Sequence, residues 1–131
     1  MPNTFRIAPA ARLLGVSDDT VRRWIDQGLL PTTGATPTEI PGEALAARAV
    51  ALADEPDDPT GVSSSARNRF VGIVTRVRVD GVMAQVDLQC GPHRVVSLMS
   101  AEAAEELALE PGALAVASVK ATVVTVETPR A

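Results

Sequence analysis

The chain has 131 residues with 12 basic and 16 acidic side chains, a net charge of −4. That length holds one domain or two small ones, and the mild acidity excludes a protein that grips nucleic acid by bulk positive charge alone. A single cysteine, Cys90, rules out an internal disulfide and a cysteine-rich zinc site and fits a reducing cytoplasm.

The distribution of charge says more than its sum. Residues 1–53 and residues 65–131 each balance to zero, and the excess acid lies between them in Asp54, Glu55, Asp57 and Asp58. Neither half therefore repels an anion. Met1 is followed by no basic-then-apolar leader, and no run approaches transmembrane length, so a cytoplasmic protein with no membrane partner is expected. Phe5, Trp24 and Phe70 are too few aromatics for binding by stacking.

Phe5-Arg6-Ile7 reads as a short extended entry. Pro9 to Leu14 follows a helical pattern, with Pro9 suited to a first turn and Gly15 to a helix end. Ser17 is a good N-cap for a second helix, and Asp18 and Asp19 in its first turn favour the helix dipole. That helix runs to about Gln27, is stopped by Gly28, and carries an apolar stripe of Val21, Trp24 and Ile25. Two short helices joined by a tight Gly-containing turn make a helix-turn-helix. In that motif the second helix enters the major groove, so Ser17, Thr20, Arg22 and Arg23 are the candidate DNA contacts. A helical hairpin that only packs is the plainer alternative.

The run Phe5-Arg6-Ile7, Ala10 to Ser17 and Thr20 to Pro31 resembles a MerR-type, excisionase-like winged helix-turn-helix, over about residues 4–50. The resemblance implies that the helix after Ser17 is the recognition helix and that residues 29–40 form a two-stranded wing. Residues 42–53 then open a third helix with Leu45, Val50 and Leu52, which either closes the core or pairs subunits. The wing departs from the family: Thr32-Thr33-Gly34-Ala35-Thr36-Pro37-Thr38 has no basic residue for phosphates. Residues 54–63, with acids, prolines and glycine, read as a linker between a first domain at 1–53 and a second at 64–131.

Beyond Arg67 the period changes to strands. A long strand through Phe70, Ile73 and Val77 ends at Asp80-Gly81, a hairpin signal. Val82, Ala84, Val86 and Leu88 alternate with Met83, Gln85, Asp87 and Gln89 in a half-buried strand. A turn at Gly91-Pro92 leads to a third strand ending at Ser100. Residues 101–109 read as a short helix with Leu107 inward, residues 114–119 as a fourth strand, and the β-branched residues 121–127 as a fifth. Five strands with one helix between the third and fourth fit an OB-like barrel, so the expected class is α+β: a winged helix-turn-helix followed by a five-stranded OB-like β-barrel.

Within this half the polar groups Ser65, Arg67, Ser100 and Lys120 stand at element ends. Arg and Lys give charge-assisted bonds and serine hydroxyls donate, which together suit a tetrahedral dianion. The ordinary alternative is a capping serine, a surface lysine and an ion-paired arginine. No nucleophile–base pair, phosphate-cradling loop or metal-ligand cluster is evident, so an enzyme is not expected.

The ordered motifs Ser65-Ala66-Arg67-Asn68, Ser97-Leu98-Met99-Ser100-Ala101-Glu102, Glu106-Leu107 to Gly112 and Val119-Lys120-Ala121-Thr122 resemble a molybdenum-pterin-binding (Mop) domain, the molbindin-like branch of the TOBE domains. The resemblance implies binding of molybdate or tungstate between subunits, by Ser65, Ala66 (backbone) and Arg67 of one chain with Ser100, Ala101 (backbone) and Lys120 of another. Many members have a serine where this chain has Ala103. It also implies a homo-oligomer, a dimer or a hexamer built as a trimer of dimers, with edge strands as seams. The functions expected are a molybdate- or tungstate-responsive DNA-binding regulator, or an oxyanion store whose helical domain serves assembly. A protein-interaction module with the barrel as scaffold is a third reading.

Overall fold

The computed structural model describes residues 3–54 and 57–130. The chain divides into two compact units, Met1–Glu55 and Pro56–Ala131. Glu55 and Pro56, part of the stretch expected as a linker, lie outside the described residues.

The first unit contains β1 (Thr4–Arg6), α1 (Ile7–Leu14), α2 (Asp18–Asp26), β2 (Glu39–Pro41) and α3 (Gly42–Leu52). Gly15 ends α1 at φ 68°, a left-handed conformation that costs glycine nothing. The Ser17 side chain caps α2 by accepting from the Thr20 N–H at 3.1 Å. Val21 and Trp24 turn into a core with Ala10, Ala11, Leu30, Ile40 and Leu45. The Arg48 guanidinium lies 4.5 Å from the centre of the Trp24 ring, a cation–π contact. Leu45 fixes α3 to this core, while Val50 and Leu52 at its end remain exposed.

The wing differs from expectation. Residues 29–38 contain no strand, and β2 pairs antiparallel with β1 through Phe5 and Ile40. Pro31 and Pro37 cannot donate to a ladder, and the segment carries no apolar alternation that would reward a hairpin with burial. One bond, from the Thr33 N–H to the Glu39 carbonyl at 2.9 Å, closes the loop instead.

The second unit contains β3 (Asn68–Asp80), β4 (Met83–Cys90), β5 (His93–Ser100), α4 (Ala101–Glu106) and β6 (Leu114–Val119). The order in the sheet is β5-β4-β3-β6, with every neighbouring pair antiparallel. Val74, Val86, Leu88 and Cys90 form its buried face, joined by Val77, Val95, Met99, Leu109 and Ala115. Gly72 faces Ala115 in β6 and passes so close to β4 that a Cβ there would lie 2.5 Å from both Cys90 Sγ and the Gln89 carbonyl oxygen. The edge strands β5 and β6 do not pair, yet both line one cleft of about 600 Å³. The sheet is therefore curled into a half-barrel whose open side is this cleft.

The α+β class stands, with helices first and a curled antiparallel sheet second. The strand count is corrected: the sheet has four strands, and residues 121–127 form a short 3₁₀ turn, Ala121–Val123, followed by chain in no ladder. A β-branched run becomes a strand only against a partner edge, and among the described residues it pairs with none. Leu107 is also corrected. It is exposed, because α4 ends at Glu106 and Ala108 takes φ 52°, so Ala104 and Leu109 turn inward in its place.

Asp87 is the buried acid of the half-barrel. Its carboxylate accepts from Arg94 Nη2 at 2.8 Å and Nε at 3.1 Å, and from Gln85 Nε2 at 3.1 Å. These bonds, the Arg94 pair first, hold its pKa below the usual carboxylate value of 3.8. A depressed folded value means the stabilisation is complete above the unfolded value and disappears as pH falls through the folded one. Asp87→Asn is therefore expected to lower the melting temperature at pH 7 and to flatten its decline below pH ~4, measured by thermal unfolding across that range.

Candidate functional site

Strand register settles where the sequence-derived oxyanion residues lie. Asn68, the first residue of β3, pairs with Val119, the last of β6, and its side-chain amide donates to the Val119 carbonyl at 3.4 Å. Arg67 and Lys120 are the next residues outward, so the two cations flank the same end of the β3–β6 pair. Both are exposed, and among the described residues neither makes a salt bridge. Ser65, also exposed, and the half-buried Ala66 lead into the same mouth.

Ser100 stands elsewhere. It pairs with Met83, which pairs with Asp80 at the far end of β3. The 13 residues of β3 lie between the two groups, roughly 40 Å of strand path at about 3.3 Å per residue. Within one chain Lys120 thus stands with Arg67, not with Ser100 as the resemblance grouped them.

The backbone donors are already engaged. The Ala101 N–H donates to the Val82 carbonyl at 2.7 Å, which fastens the start of α4 to the β3–β4 hairpin. The Ala66 N–H donates to Ser64 Oγ at 3.1 Å, an exposed bond that an incoming anion can replace. Ser100 Oγ accepts from the Ala103 N–H at 3.0 Å, capping α4, and keeps its own proton to donate. The donor set that can turn to a dianion in this chain is therefore Arg67, Lys120, Ser65 and, after exchange, the Ala66 N–H. Two cations without a competing carboxylate fit a doubly charged tetrahedral oxyanion.

Sequence reasoning passed over Arg69, Asp58 and Ser64. Arg69 pairs with Ser118 one step inside the mouth and bridges to Asp58 at 2.8 Å. Its place two residues after Arg67, at the start of β3, is the signal the sequence offers. Residues 57–63, expected as linker, are tied to this unit by that bridge, and the exposed Thr60 and Val62 line the cleft.

In the helix-turn-helix, Arg22 and Arg23 are exposed on α2. Arg22 pairs with Asp19 at 3.2 Å, and Arg23 has no salt bridge among the described residues. The Ser17 and Thr20 hydroxyls bond each other at 2.9 Å as part of the cap. Asp18, Asp19 and Asp26 share the exposed surface of the helix.

Two family models match the chain. The TOBE domain covers residues 64–126 and the MerR family regulatory protein covers residues 6–38. Among solved structures, MopII from Clostridium pasteurianum is 36% identical, with a TM-score of 0.48, over 50% of this chain and 100% of that one. The second half of the chain thus carries a TOBE domain and the first a MerR-type helix-turn-helix. A molybdate-binding protein from Sporomusa ovata is 27% identical, with a TM-score of 0.49, over 51% of this chain and 100% of that one. The cytoplasmic molybdate-binding protein ModG, with molybdate bound, is 38% identical with a TM-score of 0.45. That match covers 49% of this chain and 46% of ModG. No curated protein matches. The matched TOBE segment holds all six residues of the expected oxyanion set, and the MerR segment holds Ser17, Thr20, Arg22 and Arg23. Among the described residues, no group of three or more His, Cys, Asp or Glu side chains is placed to hold a metal ion, and no helix is long and apolar enough to cross a membrane.

Proposed function

We propose that this protein is a cytoplasmic regulator that binds molybdate or tungstate at subunit interfaces of its TOBE domain and DNA through its helix-turn-helix. The observation that carries the reading is the pair Arg67 and Lys120, unpaired by any carboxylate among the described residues and set by register at one mouth of the β3–β6 pair. The proteins that share 36% and 38% identity with the chain add support, one of them carrying molybdate. The strand path between Arg67 and Ser100 supports an interface site: one anion that touches both needs two chains. In that assembly Arg67 and Lys120 neutralise the dianion, and Ser65 and Ser100 donate hydroxyl protons to its oxygens. The protein binds and releases the oxyanion unchanged, and no bond to the metal centre is made or broken.

Regulation requires that the anion favour one assembly over another. An interface ligand does this by mass action, because it binds the assembled form and not the separated chains. The number of helix-turn-helix units offered to one DNA then follows the oxyanion concentration. The store or buffer reading is favoured by a specific observation: the loop at residues 31–38 has no basic side chain, and three acids share the exposed surface of α2.

Electrophoretic mobility shift with upstream DNA, with and without molybdate, separates the two. The regulator reading expects a shift at low salt that changes with molybdate and is lost in Arg23→Ala. No shift at the lowest salt leaves the store. Titration calorimetry with molybdate, tungstate and sulfate checks the anion itself.

A further inference from the structure

The mouth of the half-barrel contains a third cation that already has an anion of its own. Arg69 lies two residues beyond Arg67 and in register with Ser118, the second residue before Lys120. Arg67 sits in the bend just before β3, and Arg69 is the second residue of that strand, so the two are neighbours at the strand's start. Arg69 also lines the cleft, together with Ser64, Ser118 and Val119, the chain neighbours of Ser65 and Lys120. Arg67, Arg69 and Lys120 therefore gather at one end of the sheet, and one of the three is neutralised.

The neutralising group comes from the acidic stretch that leads into the domain. Arg69 Nη2 donates to Asp58 Oδ2 at 2.8 Å, with side chains only 24% and 22% exposed. The other carboxylate oxygen, Oδ1, accepts from the Thr60 N–H at 2.9 Å and from the Thr60 hydroxyl. Those Thr60 bonds first, and Arg69 after them, hold the Asp58 pKa low, so the carboxylate is charged at neutral pH. The next residues, Thr60, Val62 and Ser64, line the cleft between the edge strands. A carboxylate bonded to an arginine at an oxyanion mouth presents the same chemistry as the ligand: a resonance-shared negative charge accepting charge-assisted N–H bonds.

Resting on the oxyanion reading above, we propose that Arg69 is a third cation of the oxyanion site and that Asp58 is its resident counter-anion, which an incoming dianion displaces. The dianion brings two charges to a guanidinium that Asp58 serves with one, so exchange favours the dianion wherever Arg67 and Lys120 already hold it. When Arg69 turns to the oxyanion, Asp58 loses its only salt-bridge partner among the described residues. The turn built on its Oδ1 then loses its anchor, and residues 58–64 are released from the cleft. Asp58 thus sets the concentration at which the site fills, and it ties filling to the segment that precedes the domain.

The test is calorimetric titration of the full chain with sodium molybdate, with sulfate as a control, for the wild type, Asp58→Asn, Arg69→Gln and the double variant. Removing the competitor is expected to tighten molybdate about two- to fivefold, the upper part of the range of a surface ion pair. Arg69→Gln is expected to weaken it, and Asp58→Asn added to Arg69→Gln gives no further gain, since the competitor then has nothing to hold. Hydrogen exchange of the wild type supplies a readout independent of affinity: the Thr60 amide loses protection when molybdate is added. Wild-type binding that Arg67→Ala abolishes, with Asp58→Asn and Arg69→Gln both within twofold and Thr60 protection unchanged, overturns this proposal and leaves the oxyanion reading intact. Binding that appears only in Asp58→Asn supports the proposal, and binding in neither protein overturns both.

Discussion

Replacing Arg67 and Lys120 together by alanine is expected to abolish molybdate binding, a loss of at least about 100-fold. In the proposed site each supplies charge-assisted hydrogen bonds worth roughly 1.5–3 kcal/mol, and about 3 kcal/mol for the pair already exceeds 100-fold. Both side chains are exposed and without a salt bridge among the described residues, so the melting temperature of the anion-free protein should barely move. That contrast separates a lost site from a lost fold. Arg67→Lys adds a finer test: charge is kept and the planar fork is lost, so an intermediate affinity is expected if Arg67 grips two oxygens at once. Titration calorimetry on the double variant decides the matter, and affinity within threefold of the wild type would place the oxyanion elsewhere.

The parts of this fold that sequence could reveal are those whose cause is local. Ser17 caps α2 and Gly28 follows its end at φ 75° because both positions need those residue types whatever surrounds them. Alternation along β4 named Val82, Ala84, Val86 and Leu88 as the buried face; the last three are buried, while Val82, in the turn before the strand, is 79% exposed. The failures at residues 29–40 and 121–127 share one property: each depended on a partner distant in sequence. Residues 29–40 are expected to pair with themselves as a two-stranded wing, but only their end enters a strand, β2, and it pairs with β1. Residues 121–127 have strand propensity, yet among the described residues they join neither free edge, β5 nor β6. Leu107 obeys helical spacing only if α4 continues, and the left-handed Ala108 breaks it.

The candidate site divides in the same way. The residue types were legible at Ser65, Arg67, Ser100 and Lys120. Their grouping was not, because it follows from the Asn68–Val119 register. Arg69 was overlooked because its partner, Asp58, sits in a stretch whose composition reads as linker. Composition describes what a segment does alone, and Asp58 is held by a strand 11 residues away.

The same reasoning gives the second large effect, in residues 121–127. Val123, Val124 and Val126 are 66%, 46% and 86% exposed, an apolar run that a solvated tail has no reason to carry. Fully burying a valine is worth about 1.5 kcal/mol or more, so three contribute on the order of 4 kcal/mol per chain. A two-fold assembly counts that gain twice, because each copy gives and receives the same surface. The half-barrel has a receiving surface of matching chemistry, since the open cleft between β5 and β6 is lined by Val95, Met99, Leu114 and Val116. Full-length Val124→Glu/Val126→Glu is therefore expected to fall from oligomer to monomer in light scattering at micromolar concentration, because burying two carboxylates in that cleft costs more than the valines gained. Arg67, Lys120 and Ser65 remain in place in that variant. If the oxyanion needs donors from two chains, its molybdate affinity must fall with the assembly, although no liganding residue has been touched. A monomer that still binds at wild-type affinity would mean that the Arg67–Lys120 mouth is sufficient alone and that Ser100 takes no part. An unchanged oligomer would mean that the seam lies on another surface of the sheet.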